Sequence, residues 1–249
     1  MNKLKTFIVL AVLAATSVSA QDVASFGYFD HLGAGISVGT DGIGIDLGAP
    51  LGNSFQMRAG VSFLPNIKVY DTDFNYTYGT PKKEATTHAE LNVGWVNGKL
   101  LVDYFPFKKS TFRITAGLFA GTSDVVKVHN TTPIMSDGEG VYIGKVAMQP
   151  EDGNAKLHVR TNAVKPYVGI GVGRAVPSSR VEVGADLGVM IWGKPTVWAW
   201  GKNADTDLPI WTKYTKQDFD DKNIEDAFDV IQKFPVLPVI SVRLGIRLF

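Results

Sequence analysis

The chain contains no cysteine. Disulfides, thiol nucleophiles, iron–sulfur clusters and cysteine-linked lipids are thereby excluded. It also lacks net charge: 25 Lys and Arg against 24 Asp and Glu give +1. The first twenty residues hold Lys3 and Lys5 and no acid, so the remainder is nearly neutral too. A nucleic-acid binder needs a dense basic surface, and this balance does not supply one. The four histidines, His31, His88, His129 and His158, never fall at i+3 or i+4 from one another. Metal-ligand spacing is therefore missing, and no metal or other cofactor is expected. No stretch reaches the roughly 20 apolar residues that a helix needs to cross a bilayer. Nor is there a 20–50-residue repeat, a low-complexity tract or a domain linker.

What is present begins with an export signal. Lys3 and Lys5 precede the short apolar stretch Thr6 to Ala15, and Val18-Ser19-Ala20 supplies the small residues of a cleavage site. Residues 1–20 read as a signal peptide cleaved after Ala20, leaving 21–249 as one domain. Hydrophobic residues make up 45%, which excludes disorder. Mean hydropathy is only +0.05, far below that of a helical membrane bundle. Residence in a membrane would therefore be by strands.

From Leu32 onward the dominant pattern is strict alternation, which places successive side chains on opposite faces of a strand. Leu32 to Val38, Ile43 to Ala49 and Phe55 to Phe63 follow one another by short turns, as an antiparallel meander. Further windows run from Ala89 to Phe105, Phe112 to Ala120, Val164 to Val172, Val181 to Ile191 and Ile240 to Leu248. Apolar parity changes near Asn97-Gly98. Asn-Gly favours a hairpin, but a bulge within one long strand would shift parity equally. One bulged strand gives eight strands in all, with every short turn except Thr40 to Gly42 on one side. A hairpin there gives ten, with another strand drawn from Val141–Val146 or Thr196–Trp200. Residues 217–234 read as a short amphipathic helix before the last strand, with Ile224, Ala227, Phe228 and Ile231 on one face.

The apolar faces carry no charge, whereas the opposite faces hold fifteen glycines. They also hold Asp46, Glu90, Asp103, Glu182 and Asp186 against Arg58, Arg113, Lys165, Arg243 and Arg247. A soluble sandwich has little use for so many glycines in its strands. A narrow membrane barrel has a use: its lumen is crowded, its outer face touches lipid, and closure satisfies the backbone inside the bilayer. The expected fold is all-β, a closed antiparallel up-and-down transmembrane barrel of eight strands, with ten as the alternative. The ten opposed charges should neutralise one another within the lumen.

Two segments carry a resemblance. Leu100-Leu101-Val102-Asp103-Tyr104-Phe105-Pro106-Phe107, and the run from Pro166 to Pro177, resemble segments of a largely uncharacterised group of small bacterial outer-membrane β-barrel proteins. The resemblance implies the outer membrane of a Gram-negative bacterium, contact with its lipid, and a C-terminal strand ending in Phe249 that the barrel assembly machinery reads. Phe249 departs from the pattern by lying on the opposite parity from Leu248 and Ile246.

Chemistry is sparse. His88 with Glu90 could be imagined in a lipid hydrolase, but nothing marks a partner serine. The glycines of Gly169 to Gly173 alternate within a strand with no helix after them, so they form no phosphate loop. Trp198, Trp200, Trp211 and Tyr214 exceed what a membrane-interface girdle needs and are the candidate ligand contacts, for a glycan or an apolar molecule. The leading expectation is a non-enzymatic barrel with a structural, adhesive or ligand-binding role at the cell surface. Small-solute transport is the alternative, and lipid modification the second alternative.

Overall fold

The computed structural model describes residues 26–79, 81–107, 109–134, 141–143, 146–148, 153–202, 209–214, 233 and 235–249. The signal peptide and the expected helix at 217–234 lie outside these, apart from Lys233 in a turn. Among the described residues there is no helix, hence none long and apolar enough to cross a membrane. In chain order the strands are β1 Gly33–Gly39, β2 Gly42–Pro50, β3 Phe55–Tyr78, β4 Lys83–Tyr104, β5 Arg113–Gly121, β6 Asp124–Asn130 and β7 Val141–Ile143. They continue as β8 Val146–Met148, β9 Lys156–Arg160, β10 Val164–Val172, β11 Val181–Ile191, β12 Thr196–Lys202, β13 Pro209–Tyr214 and β14 Val236–Arg247.

Antiparallel pairing runs β1-β2-β3-β4-β5-β10-β11-β14 and returns from β14 to β1, a ring through eight strands. These are the eight windows of alternation. Asn97-Gly98 is neither a hairpin nor a bulge. Ser62 pairs with Asn97 and Val61 with Gly98 in unbroken register, and β4 runs straight through. The register shifts lie in β3 instead, between Leu64 and Ile67 and between Lys68 and Tyr70.

The upper parts of β3 and β4 rise beyond the ring and seed a second sheet. Asp71 pairs with Glu90 and Tyr78 with Lys83. β6, β9, β12 and β13 add outward from β4, and β7 and β8 add from β3. This extension has its own core of Tyr76, Ile134, Ala155, Val159, Val197 and Ala199. Connections at the opposite end of the ring are short (Leu51–Ser54, Phe105–Phe112 and Gly173–Arg180), whereas all the long ones lie on the extension's side.

Odd-numbered residues of β4 face inward from Thr87 to Asp103, and no change of parity occurs. What changes is the surroundings. In the ring, Leu100 and Val102 face outward and are exposed, while Lys99 and Asp103 are buried inside. In the extension, Ala89 and Trp95 are buried inside and Glu90 faces outward. The sequence pattern places Ala89, Leu91, Val93 and Trp95 on the same surface as Leu100; the structure places them inside. Alternation reports which residues share a face, and only the neighbours decide whether that face is wet.

Candidate functional site

The interior of the ring is the densest polar assembly in the described chain. Each charge enters it because an inward position of a ring strand has no other exit. Arg58 on β3 reaches Asp103 on β4 through Nε at 2.8 Å and Nη2 at 2.8 Å, and Asp186 on β11 through Nη1 at 3.2 Å. Arg113 on β5 donates to the same Asp186 at 2.7 Å and lies 3.3 Å from Asp103. The Thr115 hydroxyl donates to Asp103 at 2.6 Å. Two arginines and two aspartates thus form a neutral quartet. Its members are 0–7% exposed, a burial that a carboxylate or guanidinium tolerates only when paired and hydrogen-bonded. Beside it, Arg243 on β14 grips Asp46 on β2 through Nη2 at 2.7 Å and Nε at 3.0 Å, with Lys99 3.6 Å from the same carboxylate.

The ten charges expected to neutralise one another divide three ways. Asp46, Arg58, Asp103, Arg113, Asp186 and Arg243 form ion pairs. Lys165, Glu182 and Arg247 face inward but serve neutral groups. Lys165 Nζ donates to Asn97 Oδ1 at 3.0 Å and the Thr122 carbonyl at 2.9 Å, and Glu182 accepts the Arg174 amide at 3.1 Å. Arg247 donates to the Ser178 carbonyl at 3.0 Å. Glu90 is not inside the ring. It sits on the outward face of the extension, 2.7 Å from Lys68, because that stretch of β4 has its apolar side turned in. The missed member is Lys99, whose strict odd-position spacing with Asp103 was readable had Asn97-Gly98 not suggested a turn.

Below the charges, the β10–β11 connection folds up into the ring. Ala175 and Val176 are 1% and 0% exposed, and Pro177 is fully buried. Gln56 holds this plug by both ends of its amide: Oε1 accepts the Val176 amide at 3.0 Å and Nε2 donates to the Val176 carbonyl at 3.4 Å. Arg243 and Arg113 also donate to the plug's carbonyls, at Arg174 and Gly173 respectively. Gly173 starts this re-entry with φ +90°, a left-handed geometry that side chains disfavour. Above the charges, Leu101, Phe119, Tyr167, Met190 and Val239 pack together as an apolar layer. The interior glycines make these side chains fit. A methyl group on Gly35 would overlap the Arg243 guanidinium, and one on Gly188 would sit 2.5 Å from the Tyr167 hydroxyl.

The outer surface of the ring is the inverse. Ile36, Val38, Ile43, Ile45, Leu47, Leu118, Val168, Leu187, Ile240 and Leu244 are each exposed. An apolar groove of about 570 Å³ runs over this surface between Ala34, Ile45, Ala59 and Leu244. Phe55 and Tyr104, 5.0 Å apart, and Phe107 lie exposed toward the short-loop end, with Phe63 at the other. Trp95 and Phe105, by contrast, are buried inside. Phe249 is 69% exposed at the chain end, where its carbonyl accepts the Leu32 amide.

The candidate aromatics belong to the extension. Trp198, Trp200 and Trp211 share its outward face: Trp200 and Trp211 pair across β12 and β13, with ring centroids 5.3 Å apart. Tyr214 parts from them, since it pairs with the buried Val197 and packs on the inner core. On the same outward face, His88 is held between Asp71 and Asp73, with Nδ1 2.7 Å from Asp73. The hydrogen bond to Asp73, with Asp71 adjacent, pushes the His88 pKa up. No group among the described residues has the arrangement of a metal site.

No family model matches the chain, and no curated protein matches it. Among solved structures it is similar to the crystal structure of Acinetobacter baumannii CarO, at 17% identity and TM-score 0.46, covering 86% of this chain and 96% of that one. It is similar also to that of Acinetobacter baumannii CarO2, at 16% identity and TM-score 0.45, covering 89% and 99%. The functional reading therefore rests on the chain's own geometry.

Proposed function

We propose that the chain is an exported, non-enzymatic outer-membrane β-barrel whose role is structural or ligand-binding at the cell surface. The observation that carries this is the inversion of the ring. Its charged side chains are buried inside, and a continuous surface of branched aliphatic residues is turned out, a solution unstable in water and stable in lipid. The six ring strands other than β3 and β4, of 7 to 12 residues, suit a tilted crossing of the hydrocarbon core. The short connections fit the periplasmic side and the extension the outside, as is usual for such barrels. Lipid of the outer membrane is the solvent of the belt, and the assembly machinery is the proposed reader of the strand ending in Phe249.

An eight-stranded barrel is just wide enough to be filled by side chains. Here the plug, the charge quartet and the apolar layer occupy it in turn, which supports a closed interior over a transport path. Fractionation with gel mobility tests the reading. The folded protein should partition with outer membranes and migrate differently before and after boiling. Planar bilayers containing it should show no steady conductance. Soluble protein with unchanged mobility, or steady ion conduction, overturns it.

A further inference from the structure

The outward face of the extension splits into two halves of opposite character. On β3 and β4 every base is matched: Lys68 lies 2.5 Å from Asp71 and 2.7 Å from Glu90, and His88 bridges Asp71 and Asp73. On β6, β9, β12 and β13 the bases prevail. Lys127, Lys156, Arg160 and Lys213 stand against Asp124, which is engaged by Arg160 at 2.6 Å and His158 at 3.2 Å. Register lines up Lys127, His158, Trp198 and Lys213 as one row across the four strands. Three inter-strand spacings make that row about 14 Å long.

The aromatics within this row are already fixed in place. The Arg160 guanidinium lies 4.8 Å from the ring centroids of both Trp198 and Trp211, and His158 lies 4.3 Å from Trp211. All three indoles remain partly exposed, as does Lys213 more fully. Rigid indole plates offer an apolar surface to the C–H faces of sugar rings, and Lys127 and Lys213, which form no ion pair in the row, offer charge-assisted donors to phosphate. The height is informative as well. Arg160 lies four residues before Val164, an exposed member of the apolar belt, so the patch begins within about 14 Å of it along the chain.

We propose that this face binds the phosphorylated saccharide headgroup of a glycolipid in the surrounding outer leaflet. The inference rests on the membrane orientation proposed above. It commits to a membrane-borne ligand because the row stands immediately over the lipid-facing surface and opens sideways, away from the interior core of the extension.

The test uses the full chain folded in detergent micelles, with purified lipopolysaccharide and its enzymatically dephosphorylated form as probes. Retention is read by native mass spectrometry and by indole fluorescence. Phosphorylated lipopolysaccharide should be retained, and the Lys127→Ala/Lys213→Ala variant should bind it about tenfold more weakly, the loss expected for removing charge-assisted contacts. Trp198→Ala should weaken both probes, and Lys68→Ala, on the matched half, should leave binding within about twofold, as for a rim-exposed charge. Equal binding of the two probes, equal binding by the double variant, or displacement by equimolar inorganic phosphate would overturn the inference. Protein that keeps its heat-dependent gel shift yet retains no glycolipid overturns this inference alone. Protein that lacks the shift and stays soluble overturns the membrane reading with it.

Discussion

The ring and the extension are built from the same two strands, yet they are opposite in polarity. Along β4, inward positions change from Leu91, Val93 and Trp95 in the extension to Asn97, Lys99 and Asp103 in the ring, without a break in parity. Outward positions change the other way, from His88 and Glu90 to Val96, Leu100 and Val102. Neither strand could satisfy both halves in one solvent. The extension is a sheet with a polar outer face around an apolar core; the ring has an apolar outer face around a polar core, the arrangement that suits the proposed membrane setting. The switch near Val93–Val96 marks, on the proposed membrane reading, where the solvent changes.

The energetics of the two halves differ accordingly, and the largest expected effect lies in the ring's interior. Asp186→Asn removes the carboxylate shared by Arg58 and Arg113, leaving buried guanidinium charge uncompensated at a cost of about 3–5 kcal/mol. Urea unfolding in lipid vesicles should show it, with bilayers still non-conducting because the plug is untouched. Next comes the outer face. Leu244→Arg, 43% exposed on β14, should cost about 2–4 kcal/mol as a charge in the hydrocarbon layer. Thr86→Arg, equally outward but in the extension, should stay within about 0.5 kcal/mol. Equal costs would mean that both faces meet the same solvent.

Glycines separate the interior from the exterior on a finer scale. Gly35→Ala drives a methyl into the Arg243 guanidinium and should cost about 1–3 kcal/mol by overpacking. At Gly98 the nearest atom to a new methyl is 3.6 Å away, so Gly98→Ala should be neutral or stabilising by about 0.5 kcal/mol. The smallest effect is on pH. Because the His88 pKa is raised by Asp73 and Asp71, its contribution is complete below the ordinary histidine value and is lost as pH rises through the raised one. Hydrogen exchange of β3 and β4 above Glu90 should therefore quicken with pH through that window, while the ring is unchanged. His88→Gln should remove the dependence.

Much of the ring was legible because a strand with one apolar and one polar face forces strict alternation: Ile43, Ile45 and Leu47 against Gly44, Asp46 and Gly48 admit one reading. The extension was not, for the stretch from Pro65 to Ala85 alternates among polar and aromatic residues and carries two register shifts, so it reads as a loop. Glu90 was placed inside by extending the ring's rule past the point where the inward face turns from polar to apolar. Lys99 was missed because a local turn signal competes with a tertiary pairing that overrides it. The plug was invisible in sequence: Arg174 to Ser179 looks like any tight turn, and only the ring around it buries Ala175 and Val176. Of the four candidate aromatics, the parity of Tyr214 relative to Trp211 already separated them, but which side was wet required the pairing of β12 with β9.

The central claim is that one unbroken strand passes from water into lipid, and the absence of native cysteine allows it to be tested position by position. Single cysteines at the outward sites Thr86, Glu90, Val96, Leu100 and Val102 would be labelled in vesicles by a membrane-impermeant thiol reagent, then by a fluorophore read against lipid-borne quenchers. The account predicts rapid aqueous labelling at Thr86 and Glu90, and protection with strong lipid quenching at Leu100 and Val102, with Val96 at the boundary. Uniform labelling along β4, or quenching at Thr86 equal to that at Leu100, would contradict it.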